Sequence, residues 1–116
     1  MHGRADTLVP VSFPSRPYYG MNKIAEGAAS KLSYIEVTNA THVDLFAPLG
    51  FDSRLVPLHV YFLQALNAVY NNLKSNVPLP PSQLVRTIPR GGNPGTAPPI
   101  TSATSRPSAP IQPPVT

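Results

Sequence analysis

An α/β fold is predicted for this chain by three observations. The opening residues read as the end of a buried strand that gives way to a polar loop. A helical period over residues 18–32 runs directly into a β-branched segment, and a second, longer helical period follows over residues 55–73. The implied order is strand end, helix, strand, long helix, which is one right-handed parallel crossover with a further helix.

The first element is His2-Gly3-Arg4-Ala5-Asp6-Thr7-Leu8-Val9-Pro10. Gly3 suits a backbone turn where a side chain would clash, and Pro10 keeps the following residues out of a ladder. Val11 to Pro17 is irregular chain, with Ser15 placed to cap a helix whose first position is Pro17. From there Tyr18, Met21, Ile24, Ala25, Ala28 and Leu32 recur at spacings of three and four, predicting one buried stripe. Leu32 to Thr38 is aromatic and β-branched and ends at Asn39, so it reads as a strand. Asn39 to Asp52 is a loop carrying His42, Asp44, Phe46, Pro48 and Gly50. In the long helix, Leu55, Leu58, Phe62, Leu66, Val69 and Leu73 form the expected buried face, with Ser53 as cap and Pro57 in the first turn.

After Lys74 the composition changes. Eleven of the sixteen prolines lie between Val77 and Thr116, a composition that cannot build a core. The expected organisation is therefore a folded body over 1–75, an extended segment over 76–88 that lies on a partner surface, and a Pro-rich disordered tail over 89–116. A body of that size makes a marginal core unless something else covers its faces.

Charge narrows the function classes. The net charge is +4, but the first 75 residues carry six basic groups against five acids. The remaining arginines, Arg86, Arg90 and Arg106, are too dispersed for a phosphate-binding patch, so no nucleic-acid partner is expected. No basic-then-apolar leader opens the sequence. The window from Leu55 to Leu73 is interrupted by His59, Gln64, Asn67, Asn71 and Asn72, so it reads as a buried helix rather than a membrane span, and no membrane partner is expected. There is no cysteine, and three histidines without paired ligand spacing make a poor metal site, so neither a metal nor another cofactor is implied.

The candidate chemistry lies in Asp6 and His42. In open parallel sheets the carboxyl ends of the strands converge on one crevice, where a carboxylate after one strand can meet a histidine after the next. Asp6 would fix the imidazole tautomer and leave the other nitrogen as general base toward a serine. The chain order acid-then-histidine is that of the α/β-hydrolases. The bland alternative is a turn aspartate bonded to nearby backbone N–H groups and an ordinary loop histidine. Asp44 is a rival acid, better placed beside the loop than behind the ring. His59 reads as structural or supporting, and His2 as packing or bonding locally.

Several blocks in one order carry a family resemblance. His2 to Pro10, Ser15-Arg16-Pro17-Tyr18-Tyr19-Gly20, Leu32 to Ala40 with His42, and Asp52 to His59 resemble the C-terminal region of the D-(−)-3-hydroxybutyrate oligomer hydrolases. Pro78-Leu79-Pro80-Pro81-Ser82-Gln83, Arg86-Thr87 and Pro89-Arg90-Gly91-Gly92 extend the match to roughly residues 2–99. The resemblance implies the C-terminal part of an α/β-hydrolase, secreted, with a serine nucleophile. Its substrate would be a small ester, a 3-hydroxybutyrate oligomer cleaved to monomer. It also implies that Asp6 and His42 are the acid and histidine of the triad. Against the family pattern, the loop after His42 is shortened around Ala47-Pro48-Leu49-Gly50, at the wall of the ester site.

No serine here sits in a Gly-x-Ser-x-Gly turn. An acid and a histidine without a nucleophile and oxyanion donors cannot run acyl transfer at an enzymatic rate. The chain is thus expected to be the C-terminal piece of an esterase, inactive by itself. Two other readings stand beside this one. A small body displaying a Pro-rich tail to an aromatic groove would be a non-catalytic interaction module. An esterase of the feruloyl esterase and tannase type shares the His-Gly…Asp loop, but a cysteine commonly adjoins its catalytic histidine, where this chain has Val43 and no cysteine.

Overall fold

Ile35–Val37 (β2) is the strand on which the other elements are assembled in the computed structural model, which describes residues 1–100. All three of its residues are buried. It pairs in parallel with His2–Gly3 (β1) on one side, His2 opposite Glu36 and Gly3 opposite Val37. On the other side it pairs in parallel with Gln83–Val85 (β3), Ile35 opposite Gln83 and Val37 opposite Val85. The order β1-β2-β3 therefore puts the middle strand of the sequence in the middle of the sheet.

Side chains alternate across a strand, so the two faces of β2 meet different neighbours. Ile35 and Val37 join Ala40, Val56, Tyr61 and Val85 in the apolar core, with Leu58, Ala65 and Ile100 packed at its margin. Glu36 faces the other way and receives both Nε and Nη2 of Arg16, at 2.7 and 2.9 Å, and the Tyr34 hydroxyl at 2.9 Å. Arg16 lies on Ser15–Glu26 (α1) and Tyr61 on Leu58–Ser75 (α2). The two helices thus cover opposite faces of the sheet.

Both helices keep the expected period and depart from the expected face. In α1, Tyr18, Met21 and Ile24 point outward, Ile24 being 87% exposed. The helix docks instead by polar groups: Arg16 on Glu36, Ser15 Oγ at 2.8 Å from Tyr34 Oη, and Tyr19 stacked on Tyr34 with ring centroids 5.3 Å apart. In α2 the buried residue is Tyr61, whereas Phe62, Leu66, Val69 and Leu73 are exposed. The contact face is rotated by one residue from the predicted stripe, about 100° around the helix. Of the side chains left out, Phe62, Leu66 and Val69 line an apolar groove of about 420 Å³ with Met1, Leu32 and Leu79.

Helix boundaries shift for identifiable reasons. Ser15 lies inside the first turn of α1, and the Pro14 position before it makes no side-chain cap. Pro17 is tolerated there because the first N–H groups of a helix lack intrahelical partners in any case. α1 stops at Glu26, short of the predicted Leu32, because Gly27 takes φ 52° and starts a 3-10 turn over Gly27–Ala29. Ser53 does not cap α2. That work falls to Asp44, whose carboxylate accepts the N–H groups of Leu58 at 2.7 Å and His59 at 3.0 Å from fourteen and fifteen residues away.

The segment expected to lie on a partner surface lies on this chain. Gln83–Val85 pairs with β2, and beyond it Thr87 N–H donates to Thr38 Oγ1 at 2.7 Å while Asn39 Nδ2 donates to the Thr87 carbonyl at 2.8 Å. Part of the expected disordered tail is also anchored. Asp52 accepts Gly95 N–H at 2.7 Å and Ala97 N–H at 2.9 Å, and Gly91 N–H donates to the Ser53 carbonyl at 2.8 Å. Proline removes donors but leaves these intervening N–H groups available. The rest of that tail, residues 101–116, lies outside the described residues.

Candidate acid and histidine pair

Two loops at the same end of the parallel sheet are sewn together by backbone bonds. Arg4 N–H donates to the Val37 carbonyl at 2.8 Å and Ala5 N–H to the Ala40 carbonyl at 2.9 Å. Gly3 permits this closeness. A Cβ built there would stand 2.4 Å from the carbonyl oxygens of Ala40 and Thr41, all backbone atoms with no side chain to move aside. Its glycine is required by approach of the neighbouring loop rather than by a left-handed backbone, since it is absent from the positive-φ positions.

Asp6 follows directly and is buried, at 4% exposure. Its two oxygens divide two tasks. Oδ1 accepts the N–H groups of Leu8 at 2.9 Å and Val9 at 3.0 Å, the local turn expected of an aspartate in such a loop. Oδ2 lies 2.8 Å from His42 Nδ1 and 3.0 Å from His2 Nε2. Oδ1 thus makes the turn of the bland reading, and Oδ2 makes the contact to His42 that the other reading requires. Burial pushes its carboxyl up, but the N–H of Val9, the His42 ring and the N–H of Leu8 together outweigh it and hold the carboxyl below its ordinary range.

An ionised carboxylate only accepts, so the His42 nitrogen facing it carries the proton. The lone pair then resides on Nε2, on a side chain 46% exposed. Beside the ring opens a cavity of about 490 Å³ lined by His42, Val43, Asp44, Leu58, His59 and Phe62. The apolar groove along α2 has none of the three histidines in its lining. The structure therefore brings Asp6 and His42 together across thirty-six residues. Asp44 stands apart from the pair at the start of α2. His59 reaches the same cavity from the first turn of α2, its ring stacked on Phe62 at 6.3 Å.

His2 bonds locally, as expected, to Asp6 and the Val9 carbonyl; what reading the sequence missed is that its partner is the carboxylate that also receives His42. The signal was present in the spacing: a histidine in the last residues of a strand, four positions before the acid, is within reach once the chain turns at Gly3. Among the described residues no group of three or more potential metal ligands converges, and no helix is long and apolar enough to cross a membrane.

Comparison with known proteins points one way. The family model for 3HB-oligomer hydrolase matches residues 1–115. A D-(−)-3-hydroxybutyrate oligomer hydrolase of Paraburkholderia xenovorans (strain LB400) is 60% identical over 104 residues, covering 89% of this chain and 15% of the relative. One of Azoarcus sp. (strain BH72) is 61% identical over 107 residues, with the same coverage. One of Paracidovorax citrulli (strain AAC00-1) is 56% identical over 114 residues, 94% of this chain and 16% of the relative. No solved structure matches. The chain thus spans about 15% of the length of the curated relatives it matches, and with its whole described fold inside the matched region, it belongs to the 3HB-oligomer hydrolase family.

Proposed function

We propose that this chain supplies the acid and the histidine of a serine-esterase centre that hydrolyses ester bonds in 3-hydroxybutyrate oligomers. The observation that carries the reading is the 2.8 Å contact from His42 Nδ1 to the buried Asp6, with the opposite ring nitrogen beside an open, largely apolar cavity. The parallel sheet with a helix on each face is compatible with the C-terminal part of an α/β-hydrolase, and we extend the proposal to that fold.

The chemistry follows from the pair. Asp6 fixes the tautomer and stabilises the imidazolium that forms during the reaction. His42 Nε2 takes the proton of an attacking serine hydroxyl as its oxygen adds to the ester carbonyl. It then gives that proton to the alkoxide oxygen of the departing 3-hydroxybutyrate unit as the ester C–O bond breaks, freeing its hydroxyl and leaving the acyl-enzyme. Water repeats the sequence on the acyl-enzyme and releases the acid. The methyl-bearing backbone of such an oligomer suits a cavity walled by Val43, Leu58 and Phe62. This sequence offers no serine in a nucleophile turn. The nucleophile and oxyanion donors would therefore come from the part of the family sequence that this chain does not span.

A chimaera tests this. The residues of the Paraburkholderia xenovorans relative that match this chain are replaced by it, and hydrolysis of a 3-hydroxybutyrate dimer is followed. Activity should survive the exchange, and His42→Ala or Asp6→Asn should then lower kcat by roughly four orders of magnitude. A chimaera that keeps its rate after His42→Ala refutes the assignment. The 116-residue chain alone should give no turnover.

A further inference from the structure

We propose that His2 is a positioning residue for the Asp6–His42 pair: its Nε2–H donates to the same carboxylate oxygen that receives the His42 ring, and so restrains how strongly that oxygen holds His42. The inference rests on the reading of Asp6 and His42 as the acid and histidine of an esterase.

The tautomer of His2 follows from its surroundings. Nε2 lies 2.9 Å from the Val9 carbonyl oxygen and 3.0 Å from Asp6 Oδ2. A carbonyl and an ionised carboxylate both only accept, so Nε2 must be the protonated nitrogen, and its one hydrogen is shared between the two. The ring is held by burial, its side chain being 12% exposed. This donor is not needed to orient the carboxylate, because Oδ1 is already fixed by the N–H groups of Leu8 and Val9. What His2 adds is a second donor on Oδ2, competing with His42 for one oxygen's lone-pair density. A carboxylate oxygen with a single imidazole donor gives its full acceptor strength to that donor. With the His2 ring also on Oδ2, that strength is divided and the hydrogen bond to His42 is the weaker for it.

The two rings reach Oδ2 from different segments. His2 belongs to β1, in register with Glu36 on the buried central strand. His42 arrives on the loop that leaves β2 after Ala40. The segments are joined by the Arg4–Val37 and Ala5–Ala40 backbone bonds, neither of which uses the His2 side chain, so replacing that ring leaves them in place.

The test uses nitrogen-resolved NMR of the two imidazoles in the 116-residue chain and in three variants. In the unmodified chain His2 should show a protonated Nε2, and His42 a low-field Nδ1–H that vanishes in Asp6→Asn. In His2→Leu, with the dispersed backbone amide spectrum retained, the His42 Nδ1–H resonance should move further downfield, as Oδ2 turns wholly to His42. In His2→Gln, whose side-chain amide can still donate, it should stay near its original position. A bare Nε2 on His2 overturns the proposal, as does a His42 resonance that stays put or moves upfield in His2→Leu, or a Gln variant that behaves like the Leu variant. Should His2→Leu fail to fold, the tautomer of His2 in the unmodified chain decides. Absence of a low-field Nδ1–H in the unmodified chain, or its persistence in Asp6→Asn, defeats the pair itself and the role of His2 with it. That outcome is distinct from the preceding ones, in which the pair survives.

Discussion

Replacing Gly3 by alanine should damage both stability and the acid–histidine contact, and the size of the effect can be worked from three distances. The added Cβ would lie 2.6 Å from the Ala40 carbonyl carbon and 2.4 Å from two carbonyl oxygens. Carbon atoms pack favourably at about 3.5–4.0 Å. The 2–6 and 38–42 segments must therefore part by about 1 Å. The Ala5 N–H to Ala40 carbonyl bond starts at 2.9 Å, so a separation of that size takes it beyond hydrogen-bonding range. Overpacking of this kind costs about 1–3 kcal/mol. The lost hydrogen bond adds about 1 kcal/mol. The expected destabilisation is then about 2–4 kcal/mol, read as a lowered urea midpoint with little change in slope. Because Asp6 and His42 sit on the two segments being parted, the low-field Nδ1–H of His42 should also weaken or disappear. In the chimaeric enzyme a displacement of that order is expected to lower kcat about 100-fold. A Gly3→Ala chain that unfolds within about 0.5 kcal/mol of the parent, which is ordinary for a harmless substitution, with its His42 signal intact, would refute this account of Gly3.

Other perturbations have equally definite outcomes. Asp44→Ala removes both acceptors for the first N–H groups of α2 and should cost about 1 kcal/mol, whereas Asp44→Asn keeps one acceptor oxygen of the two and should cost less; denaturant unfolding separates the two. Tyr61→Ala, at the buried centre of the core, should cost about 3 kcal/mol or more. Leu66→Gln on the exposed stripe of the same helix should fall within about 0.5 kcal/mol, and equal effects would mean that α2 packs by its other face. The carboxyls of Asp6, Glu36 and Asp52 are all held below their ordinary values. For Glu36 the Arg16 guanidinium is the main cause, and for Asp52 the N–H groups of Gly95 and Ala97. A depressed folded-state value means that the unfolded chain takes up protons first as the solution is acidified. Their stabilisation should be complete above about pH 5 and lost as pH falls below about 4, through the folded-state values. Stability that rose on acidification through this window, measured by urea midpoints, would contradict the sign.

The two strands and two helices predicted from sequence all exist, because their signals are local: β-branched residues at 35–37 and apolar spacings of three and four in the helices. The direction each helix faces was not legible. Tyr18, Met21 and Ile24 make a plausible core stripe, yet the sheet face that α1 meets presents Glu36 and Tyr34, so its polar side docks. Local capping rules likewise pointed to Ser53, while the carboxylate that caps α2 sits fourteen residues upstream and arrives only through the turn at Asp44–Leu49. β3 was hidden by its flanks. Three residues after Pro78-Leu79-Pro80-Pro81 carry too little pattern to mark a strand, and their pairing is decided by the open edge of β2 rather than by themselves. At the candidate site, Asp6 and His42 could be paired because topology alone predicts where strand ends meet. The part played by His2 needed the turn geometry that brings a ring back onto its own loop.

The latch between Thr38, Asn39 and Thr87 has a consequence for gene architecture. Asn39 takes a left-handed φ of 56° just where the chain leaves β2 toward His42, and its side chain is tied to Thr87. The aim of the His42 loop is therefore set by a residue encoded forty-five codons downstream. A premature stop before Thr87 would leave β1, both helices and the Asp6–His42 sequence intact on paper, yet free the loop that carries the histidine. In this chain the Asp6–His42 contact thus depends on sequence as far as that threonine, in a stretch whose proline content gives no hint that anything depends on it.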